Sequence, residues 1–372
     1  MKRLLMVLLI SAGVLFLSPV AQAKGTDAFD NSIEEIKDSI DPDTFSRMER
    51  LGLSDADVAS VADLSLSDSL DLIGEMLADY ASAPAASCVL LIAVVLLSSL
   101  LESYTFSLRY ADTKDVMGAV SSLLVITTLV TPILRLIQTA ADTIKGASSL
   151  MLLYVPVMIG IMAFGGHIIS SGGYYATVMA ASQGISQLSS AFFVPLMNIF
   201  LALSVSSAVS DRIKLSGICE ITAKVLKWTL TLAMTLFTAI LSIQGVAANA
   251  ADSVASKSVR FALSSFIPIV GGSVSEAYKS IEGSVNLLRS GIGVFVIIAV
   301  ILTFLPLIIQ ILLWQLSALA AKTVSETFGV TSVVTILSSV SSVLSVLLAL
   351  IAAVTAVFLI SSGVLISVGG SS

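Results

Sequence analysis

Long uninterrupted apolar runs, separated by short polar stretches, dominate this chain from residue 85 onward. A helix needs about 20 mostly apolar residues to cross a bilayer. Continuous runs also argue against a transmembrane β-barrel, whose strands alternate apolar and polar positions. The pattern predicts spans over 85–101, over 116–136 with Pro132 near its end, and over 150–169 with Pro156 inside. The region 176–209 is less regular, carrying Gln183, Gly184, Gln187 and Pro195, and reads as one span or a bent pair. Further spans are predicted over 225–243, 292–316 and 333–366. The fold class is therefore all-α, a polytopic helical membrane protein with six to eight spans.

Two other stretches repeat at helix spacing but carry a polar face. Ahead of the first span, Ile33, Ile36 and Ile40 recur, and Leu66, Leu70, Ile73 and Leu77 fall at i, i+4, i+7 and i+11. Ser67 or Asp68 is placed to cap the second helix, and Pro84 to separate it from the span. Such stripes need covering by the membrane body, a partner or the lipid interface. Late in the chain Val274, Tyr278, Ile281, Val285 and Leu288 make an apolar stripe. Ser275, Glu276, Lys279, Glu282, Asn286 and Arg289 take its other face. This segment is too polar to span and reads as an interfacial amphipathic helix, which either packs there or lines a passage.

Composition agrees: 56% apolar and 12% charged is outside the range of soluble domains. Lys2 and Arg3, an apolar run over 4–17 and Ala21-Gln22-Ala23 make a signal peptide over 1–23, either cleaved or kept as a first span. Either way residues 24–84 start outside the cytoplasm. They form an acidic helical leader with fifteen acids against four bases, solvated or docking a partner. Residues 85–372, the multi-span membrane domain, hold ten acids and thirteen bases. Basic loops should face the cytoplasm. Arg109 and Lys114 fit that rule, whereas Arg212, Lys214, Lys224 and Lys227 fit only if 176–209 or the third block doubles back.

Candidate chemistry is sparse. Cys88 and Cys219 are the only cysteines and read as small apolar fillers; His167 is the only histidine and cannot build a zinc site alone. Glu102, Arg135 and Glu220 sit at span ends, where long side chains reach the interface. Protease, hydrolase and phosphate-loop motifs are missing, as is a basic domain for nucleic acid, so neither catalysis nor a cofactor is expected. On the last span Ser338, Ser342, Ser345, Ala349, Ala352 and Ala356 share a face that would let helices approach closely. The sharpest feature is a Pro-Gly-Gly break around Phe266, Pro268, Gly271, Gly272 and Ser275, followed by Gly291 and Gly293 before the next span. Broken backbone at membrane depth is tolerated only inside protein or beside water.

This break, the signal, the acidic leader and the multi-span body together resemble the stage III sporulation protein AE family over nearly the whole length. The resemblance implies a membrane subunit of a multi-protein channel or secretion-like complex joining mother cell and forespore in endospore-forming bacteria. It implies other membrane subunits and the lipid bilayer as partners, the mother-cell membrane as location, and no catalytic residues. A stand-alone permease for a small solute is the alternative.

Overall fold

The computed structural model describes residues 33–53, 66–107, 111–164, 168–209, 216–266 and 271–367. The signal over 1–23, His167 and Pro268 lie outside the described residues. All described elements are helices: α1 (33–39), α2 (Pro42–Arg50), α3 (Leu66–Ser107), α4 (Ala111–Phe164), α5 (Ile168–Leu188), a π-turn (Ser189–Phe193), α6 (Val194–Val209), α7 (Ser216–Phe266), α8 (Gly271–Thr327) and α9 (Thr331–Ser367). Six stretches are long and apolar enough to cross a membrane, within the expected range: 67–100, 120–163, 172–207, 217–241, 289–327 and 331–366. The chain is a multi-pass helical membrane protein.

The helices run longer than the apolar runs suggested. The spans expected over 116–136 and 150–169 are one 54-residue helix, α4, which continues through Pro132, Pro156 and the polar residues between them. At 1.5 Å per residue α4 is about 80 Å long, against a hydrocarbon core of roughly 30 Å. Nor does Pro84 end the leader helix, because α3 runs through it. There the Ser317 hydroxyl, from α8, donates to the Pro84 carbonyl at 2.6 Å. That bond ties α8 to α3 at the proline, whereas the carbonyl that Pro84 leaves without its helical donor is that of Tyr80. The irregular region is one membrane-length stretch of 36 residues, α5 and α6 joined through the π-turn and Pro195 following it.

Packing centres on α9, which lies against α4, α5, α6, α7 and α8; α8 also packs on α3 and α4. The core face of α9 is built from large residues, among them Val340, Leu344, Leu347, Ile351 and Phe358, all 3% exposed or less. Phe358 stacks on Phe304 of α8 with ring centroids 6.1 Å apart. The α8–α9 turn is a Schellman motif. Gly329 (φ 74°) donates to Glu326 O, and Val330, itself buried, donates to Ser325 O.

The leader closes one flank. Asp41 caps α2 by accepting from the Asp43 and Thr44 amides, Pro42 sits in the first turn, and Gly52 (φ 75°) ends the helix in a second Schellman motif. Ile36, Ile40, Met48 and Leu53 are buried in the common core. The stripe expected on the next helix turns out differently. Leu72 and Met76 are the buried residues, while Leu70 and Leu77 face outward at 59% and 42% exposure. The helix carries two apolar faces, and packing buries the second.

Candidate functional site

A cavity of about 490 Å³ lies beneath the leader, walled by α2, α3, α4 and α8. Each wall uses one helical face. Thr139, Asp142, Thr143 and Gly146 recur at i, i+3, i+4 and i+7 on α4. Thr303, Pro306 and Gln310 recur at i, i+3 and i+7 on α8. The roof is Asp41, Asp43 and Arg47, and Tyr80 of α3 completes the rim. Arg47 Nη2 donates to Tyr80 Oη at 3.2 Å, and Arg50 pairs with Glu75 at 2.7 Å. The second pair is well exposed, so it orients the leader more than it binds it.

The chemistry of this cavity is that of hydroxyls, one amide, three carboxylates and one guanidinium. Pro306 has no amide hydrogen and so removes a helical hydrogen bond at the wall. Thr303 Oγ1 donates back to Ala299 O at 2.7 Å one turn earlier. Among the described residues no three His, Cys, Asp or Glu side chains converge as metal ligands. The surface suits water or a small polar solute.

A second polar locus sits where α4, α8 and α9 meet. Gly291 and Gly293 do not break the chain, since α8 is helical from Gly271 through both. The amphipathic stretch is therefore continuous in one helix with the membrane-length segment that begins at Arg289. Its side chains up to Leu288, and those of Phe266, Gly271, Gly272 and Ser275, lie outside the described residues. Gly293 serves a close approach: a Cβ there would overlap the Ile366 side chain and lie 3.5 Å from Tyr154 Oη. Arg289, expected on the exposed polar face, is only 3% exposed and near enough for its charge to act on the Tyr154 hydroxyl. Ser361 and Ser362 of α9 are buried at the same level as Met151 of α4, onto which the Ser362 hydroxyl points at 4.0 Å.

The small-residue stripe of α9 is only partly covered. Ser342 and Ala352 are exposed, and Ser338, Ser345, Ala349 and Ala356 are half-buried. Only Ser345 is tied inward, accepting from Gln315 Nε2 at 3.0 Å. Cys88 and Cys219 are free thiols, Arg135 is exposed, and Glu220 pairs with Lys224 on the surface.

Residues 57–369 match the family described as Stage III sporulation protein AE. The chain belongs to that family. One curated relative is Stage III sporulation protein AE of Bacillus subtilis (strain 168), 21% identical over 158 residues. The aligned stretch is 42% of this chain and 40% of the relative, so it spans less than half of either. No solved structure matches. The family match starts between α2 and α3 and takes in the cavity walls of α3, α4 and α8, but not the roof. It also includes Gly293 and the whole of α9.

Of the residues singled out by sequence, the structure brings Gly293 into a helix junction and leaves the α9 stripe partly exposed, at Ser342 and Ala352. The cavity walls were missed because 137–149 reads as a loop between spans. Their signal was present as Thr139, Asp142, Thr143 and Gly146 at helical spacing, and as Pro306 and Gln310 inside an apolar run.

Proposed function

We propose that this protein is a membrane subunit of a multi-protein transenvelope channel or secretion-like complex required for endospore formation. Family membership supports the link to sporulation. The observation that favours a subunit is on α9: its large residues fill the core of this chain, while Ser342 and Ala352 of its small-residue stripe are exposed. Small residues let a second helix approach closely in lipid, where van der Waals packing drives association. On this reading the partners are other membrane subunits, the role is packing rather than catalysis, and the protein sits in the mother-cell membrane around the forespore. The leader then faces the extracytoplasmic side.

The test is affinity purification from sporulating cells, comparing wild type with Ser342→Leu and Ala352→Leu. Membrane partners should co-purify with wild type and fall at least five-fold with the variants at equal protein level. Recovery of the chain without membrane partners would sink the proposal. The polar cavity supports a second reading, a permease for a small solute. Solute flux through liposomes holding only this chain would favour it.

A further inference from the structure

A second cavity, of about 540 Å³, lies on another flank between α5, α7 and α9. We propose that it is a lipid site holding one acyl chain of a membrane phospholipid. Ala176, Ala180 and Gly184 form one wall at i, i+4 and i+8, faced by Ala233 of α7 and Ala353 of α9. Small residues on all three helices open a slot that large ones would fill. From Ala176 to Ser189 the slot runs about 20 Å at 1.5 Å per residue. That is close to the depth of one leaflet, about half of a hydrocarbon core roughly 30 Å thick. The slot has room for a hydrocarbon chain, and its lining is apolar except at Thr177 and Ser189.

Its edge is continuous with apolar surface. Ile240, on the rim, is 47% exposed, and Trp228, Leu232, Leu236 and Ile243 extend the same exposed face of α7. A chain enters sideways from the bilayer. Left empty, the slot would forfeit dispersion contacts along its whole length.

One end is polar. Ser189 opens the π-turn and lines the cavity at 2% exposure, and its hydroxyl has no hydrogen-bond partner among the described residues. The adjacent Ser190 instead donates back to Ser186 O at 2.8 Å. Ser189 lies two turns beyond Ser182, whose carbonyl accepts from the Ser148 hydroxyl of α4. That places Ser189 toward the level of Asp142 and Lys145, the polar middle of α4. Its hydroxyl is placed to donate to an ester carbonyl at the head of the chain.

The full-length protein, purified in mild detergent, should retain about one phospholipid by native mass spectrometry. Ala180→Phe with Ala353→Phe, checked for unchanged helicity, should lower retention at least five-fold. Ser189→Ala should abolish a several-fold preference for ester-linked over ether-linked phospholipid. In liposomes, a phospholipid with a photoactivatable acyl chain should label wild-type peptides of α5, α7 and α9 at the slot. That arm needs no variant. Retention indifferent to the filling substitutions, or labelling no denser at the slot than at exposed Leu97 and Leu100 of α3, would overturn the proposal. So would cross-links from Ala180→Cys to a second copy of the chain.

Discussion

Gly293 shows how one side chain sets the distance between helices. Adding a methyl there overlaps Ile366, and an overpacked core site costs about 1–3 kcal/mol. Gly293→Ala should therefore lower the melting temperature in detergent, and Ile366→Ala should recover part of the loss in a double-mutant cycle. Gly160 lies in the same bundle with open space where its Cβ would be. Gly160→Ala should be neutral or stabilising by up to about 1 kcal/mol, because alanine is the better helix former. Equal losses at both glycines would remove the close-approach argument. The same logic redistributes the residues of α9. Leu344 is fully buried, so Leu344→Ala should cost about 2–5 kcal/mol, whereas Ser342→Leu should leave the isolated chain's stability nearly unchanged. The periodicity of α9 was legible in the sequence. Which face met the core was not, because both faces are apolar enough for lipid.

Among the elements, the leader is the one whose attachment is separable. Its grip comes from Met48 and Leu53, both fully buried, and from the turn that joins them at Gly52. Gly52→Ala strains a left-handed turn and should cost about 1 kcal/mol. Met48→Asp places an unpaired carboxylate in that contact, a far larger penalty. Limited proteolysis should read the difference, with the leader cut much faster in Met48→Asp than in wild type and only slightly faster in Gly52→Ala. Arg50→Ala should change little, since its ion pair with Glu75 is well exposed. Rapid cutting of Arg50→Ala matching that of Met48→Asp would show that charge, not apolar burial, holds the leader. Among the prolines inside described helices only Pro84 was expected to interrupt one. Pro84, Pro132, Pro156 and Pro306 all lie inside helices, where packing keeps the axis running past them.

For the whole molecule the decisive number is the length of α4, more than twice the thickness of a hydrocarbon core. Its polar middle, with Asp142 and Lys145, meets the leader at the cavity, so leader and cavity share one water-facing level. With Cys88 and Cys219 replaced by Ser, Asp142→Cys and Glu75→Cys should react with a membrane-impermeant thiol reagent added from the same side of the membrane. Labelling from opposite sides would break the docked arrangement. A reporter active only outside the cytoplasm, fused after Glu75, should be active if that side is extracytoplasmic.

The residues alone determined the class of the protein: continuous apolar runs leave helices in a bilayer as the one way to satisfy their backbone. They also determined the acidic leader, the small stripe of α9 and the family likeness. Tertiary structure decided what local patterns leave degenerate. It joined two predicted spans into α4, carried α8 through Gly291 and Gly293, and turned Leu72 and Met76 inward instead of Leu70 and Leu77. It drew Arg289 into the interior and assembled a cavity from faces of four helices. The reason is common to all of these. Hydropathy records whether a segment tolerates lipid, but the choice of buried face, and whether a proline or glycine interrupts a helix, depends on the contacts that neighbouring helices supply.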